Sequence, residues 1–599
     1  MSSLRMAQGR LRISFFLVLV VFLSFFVRLV FVQAVNAQDR AHQAARELNQ
    51  TVDLPAPRGD ITDRNGNVLA RSIDALDLVV DQNLIGDPEE TAKLVAPIIN
   101  GSTSAIQSRL TGTRKFVYIA KDITPAQWLK IKEAIASNNS GKPMSERIGG
   151  FFTQRGFKRD YPGKTLSANT LGFVNSEGVG GGGIEASMNS LLSGTDGVLT
   201  YASGKGPSIP SARQSLIPAK AGTNIRLTID RDLQWVTENA IASVAKKTRA
   251  QSITAVVMDP ATGEILALAT APTFDPNKFN LTKSNLLKIP AVQEAYEPGS
   301  TGKVMTFAAA LQERLIEPTT VFQIPDKIKR ADRVFNDHEP HPKWKLTSTG
   351  ILAKSSNVGT IKIGEKMSED TLHSYLSKFG IGQNVNMGLP GESPGIFSPV
   401  NKWSRSSAPT IAFGQGYSLT TIQATSVFAT IANGGVRAVP HIVAGTSNQN
   451  GHYTPKSNDS GVRVVDKEVA KTLSLMMESV VEEGGTAPSA QIPGYRVAGK
   501  TGTANRFNDE CRCYSGYTAS FIGFAPADKP RFVMSITIQD PKGIHWGGYL
   551  GGPVFKEVIS YALKSYQIAP TGNLHEAFPL DAATLKKRTK ITAAAVARD

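Results

Sequence analysis

Residues Ile13 to Val32 form an apolar run broken only by Ser14, Ser24 and Arg28, and no other stretch narrows the chain's options so far. Hydrocarbon offers no water to backbone N–H and C=O groups, so a segment that crosses it must pair them internally, as a helix does. About 20 apolar residues suffice to cross. Arg5, Arg10 and Arg12 precede the run, so residues 1–12 are expected in the cytoplasm and everything after residue 32 outside. Cleavage after Val35-Asn36-Ala37 is the rival, as in a secretory signal. The run is longer than a usual signal core, and Arg28 can reach the outer interface by snorkelling. A single uncleaved anchor in the plasma (inner) membrane is the expectation.

At 599 residues the chain is too long for one core. Its 41% hydrophobic and 19% charged residues are ordinary globular material. The net charge of 66 − 50 = +16 favours anionic surroundings such as lipid or cell-wall polymer. No nucleic-acid module accompanies it, and no nucleic-acid partner is expected. The two cysteines, Cys511 and Cys513, make neither a disulfide framework nor a zinc ligand set. Cysteines one residue apart rarely bridge without strain, so they read as a local loop feature.

Pro57 to Ala70 reads as a strand, an Asn-Gly turn and a strand. Residues 88–140 alternate short helices and loops. The run Gly178 to Gly183 lacks the strand-to-helix setting of a phosphate cradle and reads as a tight loop. Glycines and prolines between Leu199 and Gly222 mark a domain boundary. Beyond it come a strand at Thr223–Asp230, a helix at Leu233–Val244 and a hairpin over Ile253–Ala269. A long helical and loop region spans 285–480. Strands at Thr518–Phe524 and Phe532–Ile538 and a helix at Val554–Leu563 close the domain. Strands first and last with helices between predict an α+β fold, one antiparallel sheet faced by helices. The tail from Tyr566 reads as loose.

Inside that domain three short patterns carry chemistry. Ser300-Thr301-Gly302-Lys303 follows a Pro-Gly break and opens a helical pattern over Val304–Arg314. A serine hydroxyl is a poor nucleophile until a base takes its proton, and a lysine three residues on, made less basic by burial or a second cation, can do so. Ser355-Ser356-Asn357 ends a helical stretch from Thr349 and offers a hydroxyl and a carboxamide. Lys500-Thr501-Gly502-Thr503 follows a strand pattern at Tyr495–Ala498; Gly502 admits a close backbone, while the flanking hydroxyls and the lysine suit a carboxylate. Asp337-His338-Glu339-Pro340-His341 invites a metal reading, but Pro340 breaks the helix that would align both histidines. No metal and no cofactor are expected.

The three patterns in this order are those of penicillin-binding proteins and β-lactamases. With Arg58-Gly59-Asp60-Ile61-Thr62-Asp63-Arg64-Asn65-Gly66, Arg159 to Gly163, Gly183-Ile184-Glu185, Met258 to Glu264 and Phe413-Gly414-Gln415-Gly416, the chain resembles a class B penicillin-binding protein along nearly its whole length, most like the septal members. That resemblance implies a peptidoglycan D,D-transpeptidase in which residues 13–32 anchor, 38–215 form an elongated α/β-mixed dimerisation or pedestal domain, 223–565 form the β-lactamase-like transpeptidase domain, and 566–599 are a flexible basic tail. It implies that Ser300 attacks the D-Ala-D-Ala carbonyl of a stem peptide. Lys303 takes its proton, assisted by Lys500. Ser355 relays a proton to the leaving D-alanine, and Asn357 contacts Lys303 and the substrate amide. Backbone N–H groups of Ser300 and Thr503 form the oxyanion hole, and Thr501, Gly502 and Thr503 hold the substrate carboxylate. β-Lactams acylate Ser300. The implied partners are a SEDS-type glycosyltransferase such as FtsW and other divisome membrane proteins. The alternatives are a side-wall elongation enzyme, a D,D-carboxypeptidase, a β-lactamase, or a non-catalytic divisome scaffold or β-lactam sensor.

Overall fold

The strand Ser252–Met258 sends Ile253, Ala255 and Val257 into one core and Val256 and Met258 into another. Side chains alternate across a strand, so a strand covered on both faces reads as a continuous apolar run. Phe532–Gln539 behaves alike, with Met534, Ile536 and Ile538 on one side and Val533 on the other. The computed structural model describes residues 2–35, 49–202, 215–448, 450–457, 460–508, 511–572 and 577–588.

These strands belong to a five-stranded sheet ordered Ile265–Ala271, Ser252–Met258, Phe532–Gln539, Cys513–Ala525, Ala498–Asn508, antiparallel throughout. The helices Arg231–Thr248 and Gly547–Ser565 pack on one face through Leu233, Ile241, Phe555, Val558 and Ile559. On the other lie Lys303–Gln312, Thr421–Ala432 and Lys467–Glu478. The α+β architecture expected from the element order is the one observed. The last helix starts at Gly547 rather than Val554. Its glycines are there for packing: a Cβ on Gly547 would lie 2.0 Å from Ser520 O, so only glycine lets this turn rest on the sheet.

The chain divides into two compact units, one of Met1–Pro57, Asp74–Phe157 and Gly194–Ala221, the other of Arg58–Ile73, Lys158–Ser193 and Gly222–Asp599. A single linear boundary after residue 215 does not express this, because the segments carrying Arg58, Arg159 and Glu185 cluster with the catalytic unit. Residues 203–214, where that boundary was expected, lie outside the described residues, as do 36–48 and 589–599. In the first unit, Pro88–Ile99 is capped by Asp87, whose carboxylate accepts from the N–H groups of Glu89 and Glu90. Thr124 and Gln127 form a capping box for Pro125–Asn139. Leu78, Val80, Val95, Ile106, Leu110 and Ile131 form its core. At the N-terminus, Gln8–Gln33 is helical or continues as one π-turn, and is long and apolar enough to cross a membrane.

In the second unit the Asn-Gly turn pairs Ile61 and Thr62 with Ala70 and Val68, with Gly66 at φ +88° and Asp63 Oδ1 accepting from the N–H groups of Asn65 and Asn67. Of the tail expected to be loose, part is tied down: Thr347 N–H donates to Leu580 O at 3.0 Å and Thr347 Oγ1 to Pro579 O at 2.6 Å.

Glu185 is fully buried and accepts from Arg58 Nε at 2.5 Å and Arg159 Nε at 2.6 Å. Arg58 also donates to Glu185 O, Asn189 Oδ1 and Ser193 Oγ. Removing one partner from a buried ionic cluster strands the others' charge. Glu185→Ala is therefore expected to destabilise the protein by about 3–5 kcal/mol, read from the denaturant midpoint of the purified protein.

Candidate active site

Ser300 lies in a 3-10 turn, Gly299–Gly302, and the α-helix proper begins at Lys303. The nucleophile candidate thus precedes the helix instead of riding its first turn. Residues Lys303 to Leu311 are all buried. A helix covered all round belongs to the middle of a core, and this carries the Lys303 side chain to 0% exposure.

Ser355-Ser356-Asn357 ends a helix as expected, and also begins the next. Ser348–Ala353 stops, Ser355 takes φ +60°, and Ser356 caps Asn357–Gly364 by accepting from Gly359 N–H at 2.9 Å. A left-handed residue other than glycine costs on the order of 1–3 kcal/mol and persists where its surroundings over-determine it. Here Ser355 O and Asn357 Oδ1 both accept from Lys303 Nζ, the latter at 2.8 Å.

Lys500, Thr501, Gly502 and Thr503 lie within the strand Ala498–Asn508, not after one at Tyr495–Ala498. Tyr495 lies outside that strand, in an isolated bridge to Ile492. Lys500, also 0% exposed, donates to Ser355 Oγ at 2.9 Å. The Ser355 hydroxyl therefore stands between two lysines, with Lys303 Nζ at 3.4 Å. Burial pushes Lys303 down to about 7, against the pull of the Asp337 carboxylate, which favours its charged form. Burial, and then repulsion by Lys303, holds Lys500 well below the usual lysine range. Among the described residues no hydrogen bond joins Ser300 Oγ to Lys303 Nζ; such contacts are often loose before substrate binds. Thr501 Oγ1 pairs with Thr486 Oγ1 at 2.8 Å, and Thr503 is half-buried.

Two glycines close the turn on both sides. Gly299 N–H donates to Gly414 O at 2.8 Å, and a Cβ on Gly414, at φ +98°, would lie 1.8 Å from Gly299 O. On the other side a Cβ on Gly502 would stand 2.9 Å from Pro298 O and 2.4 Å from Ser520 Oγ, the close approach expected of this residue.

Cys511 and Cys513 form a disulfide, against expectation. Arg512 at φ +49° reverses the chain and brings their Cα atoms to 5.2 Å, inside the bridging range. Next to it, Tyr514 donates to Glu297 Oε1 at 3.3 Å, and that oxygen also accepts from Gly416 N–H at 3.0 Å. The end of this hairpin thus reaches the segment that carries Ser300.

Sequence spacing missed Asp337. It is 5% exposed and accepts from Ser356 Oγ at 2.7 Å, Val358 N–H at 2.9 Å and His341 Nε2 at 2.9 Å. Its neighbour's carbonyl, Asn336 O, accepts from Asn357 Nδ2 at 3.1 Å. Among the described residues, no group of three or more His, Cys, Asp or Glu could hold a metal ion. The only local signal was a carboxylate in a stretch singled out for metals, and the small hairpin Lys327–Arg330 with Arg333–Asn336 is what brings it to Ser356.

The penicillin binding protein transpeptidase domain family matches residues 253–560, and the penicillin-binding protein dimerisation domain family matches 53–227. Penicillin-binding protein PbpB of Mycolicibacterium smegmatis is 34% identical, over 90% of this chain and 88% of its own. Peptidoglycan D,D-transpeptidase FtsI of Escherichia coli is 29% identical, over 92% of this chain and 91% of its own. The crystal structure of penicillin binding protein 3 from Mycobacterium tuberculosis complexed with aztreonam superposes with a TM-score of 0.69 at 29% identity, covering 89% of this chain and all of that one.

Gly414→Ala cannot keep both its backbone angle and the Gly299 contact, so the Ser300 turn must move. A displacement near 1 Å costs about 100-fold in rate. The second-order rate of labelling by a fluorescent penicillin is expected to fall by about that factor.

Proposed function

This chain belongs to the penicillin-binding proteins that carry a dimerisation and a transpeptidase module, it is a serine-type peptidoglycan D,D-transpeptidase, and from that premise we propose how its residues divide the work. Ser300 Oγ attacks the carbonyl between the two terminal D-alanines of a stem peptide, and Lys303 takes its proton. The C–N bond breaks, and D-alanine leaves with a proton relayed through Ser355, held by Lys500. The ester on Ser300 is then attacked by the amine of a second stem peptide. A new peptide bond forms and the Ser300 hydroxyl is restored. Asn357 orients Lys303 and the donor's amide. The N–H groups of Ser300 and Thr503 stabilise the oxyanion, each such donor contributing about 2.7–4 kcal/mol. Thr501, Gly502 and Thr503 receive the donor's carboxylate. A β-lactam follows the first half of this route and stays on Ser300.

The observation that carries this reading is the convergence of both buried lysines on one hydroxyl, with Lys303, made less basic by burial, three residues from Ser300. Similarity to a relative named FtsI, along the whole chain, supports work at the division septum. On this reading residues 13–32 hold the protein in the plasma (inner) membrane with residues 1–12 in the cytoplasm. Residues 38–215 serve as pedestal, and 223–565 act on the wall precursor outside. A SEDS-type glycosyltransferase such as FtsW, with other divisome proteins, is the partner this reading expects.

Ser300→Ala is expected to abolish labelling by fluorescent penicillin; labelling that persisted would remove Ser300 from its role. A second expectation follows from the direction of the Lys303 shift. The amine accepts a proton only when neutral, so wild-type acylation rises as pH passes upward through about 7. Below that it falls about tenfold per pH unit, a profile measurable with the same label.

A further inference from the structure

We propose that Asp337, backed by His341, is a positioning residue for acylation, fixing the Ser355–Asn357 turn and setting a negative charge near Lys303. The proposal rests on the reading of Lys303 as the base. Three donors converge on this buried carboxylate, from the serine between the two catalytic candidates, from the helix beginning at Asn357, and from His341. The bond to Ser356 Oγ and the bond to Val358 N–H bracket Asn357 on both sides, so Asn357 cannot shift without breaking one of them. Asn336 O takes the far end of the Asn357 carboxamide, which leaves Oδ1 turned to Lys303. The same loop thus sets both ends of one amide.

His341 holds the carboxylate from behind. Its Nδ1 faces Pro342 O at 2.7 Å while its Nε2 faces Asp337 Oδ2, and its ring stacks on Trp344 at 3.5 Å between centroids. The aspartate is thereby gripped on every side, with side-chain exposures of 3% for His341 and 5% for Asp337.

The charge has a consequence that can be read. The groups facing Lys303 are Lys500 from the sheet and Asp337 and His338 from the loop, with Glu339 acting in turn on His338. Asp337 opposes the effect of burial by favouring the ammonium form of Lys303. Without it Lys303 stays neutral to lower pH, so the acid limb of acylation moves down, not up.

The test uses the full-length protein in detergent, with the second-order rate of fluorescent penicillin labelling followed from pH 5 to 9. Asp337→Asn is expected to slow labelling at the plateau by about tenfold and to move the acid limb down by about one pH unit. Ser356→Ala loosens the turn but leaves the charge, so it should slow labelling with the limb in place. A folded Asp337→Asn protein whose limb stays put or moves up overturns the proposal. A Ser356→Ala limb that moves equally far overturns it too, since geometry alone would then suffice. Should Asp337→Asn fail to fold, Asp337→Ser carries the same reading with a smaller side chain. Absence of an acid limb in the wild type would instead sink the assignment of Lys303 as base.

Discussion

Two lysine side chains meet at the Ser355 hydroxyl with no exposure to solvent, and the rest of the catalytic unit is arranged around that fact. Taking an ammonium group out of water carries a penalty of several kcal/mol even after relaxation. The protein answers in two ways. It lets one or both amines lose their charge, as the lowered values of Lys303 and Lys500 express. It also surrounds them with acceptors: Ser355 O, Asn357 Oδ1 and Thr501 O. The left-handed turn at Ser355 follows from the second answer.

Holding three distant segments around one hydroxyl demands backbone contacts closer than side chains allow. That is the part glycine plays at Gly414 and Gly502, where the turn bearing Ser300 touches a loop on one side and a strand on the other. The strand in question is the last of the five-stranded sheet. Among the described residues its outer edge has no strand partner, and an edge of this kind can accept an extended peptide as a further strand. On the proposed reading, Lys500 and Gly502, in register with Ile522 and Ser520, serve the core on one side and the substrate on the other.

What the sequence made legible was what repeats locally. Short apolar runs at Ile253–Met258 and Phe532–Ile538 predicted the sheet, and the helical pattern from Val304, after the Pro-Gly break, starts one residue from the observed helix. What it hid was decided by distant partners. The strand bearing Lys500 was placed too early because Gly499 and Gly502 weaken the strand pattern, whereas the pairing that defines it comes from residues 513–525. The closing helix was begun seven residues late because its glycines read as breakers, while the sheet beneath them requires glycine. Cys511 and Cys513 pair because Arg512 turns left-handed, which spacing alone does not reveal. Asp337 stood in a stretch already singled out, but for metal binding. Its use depends on Ser356, 19 residues away, and on Val358, 21 residues away. Most of the site was a matter of recognising residue types; its electrostatics was a matter of three-dimensional neighbours.

The proton economy of the proposed reaction follows from that neighbourhood. When Ser300 gives its proton to Lys303, a positive charge appears in a buried cluster at the moment the substrate oxygen becomes negative. The two charges form together and offset each other, so neither step isolates an ion in the core. The proton must then reach the departing nitrogen, and the hydroxyl touching both lysines is the group able to pass it without water. The second half-reaction runs the same path backwards, an incoming amine losing its proton where the outgoing one gained it. A route that serves both directions needs a hydroxyl within reach of two amines, both made less basic by burial. It also needs a fixed negative charge nearby, so that the added proton is neither expelled nor trapped. Ser355 between Lys303 and Lys500, with Asp337 behind the turn, has that composition.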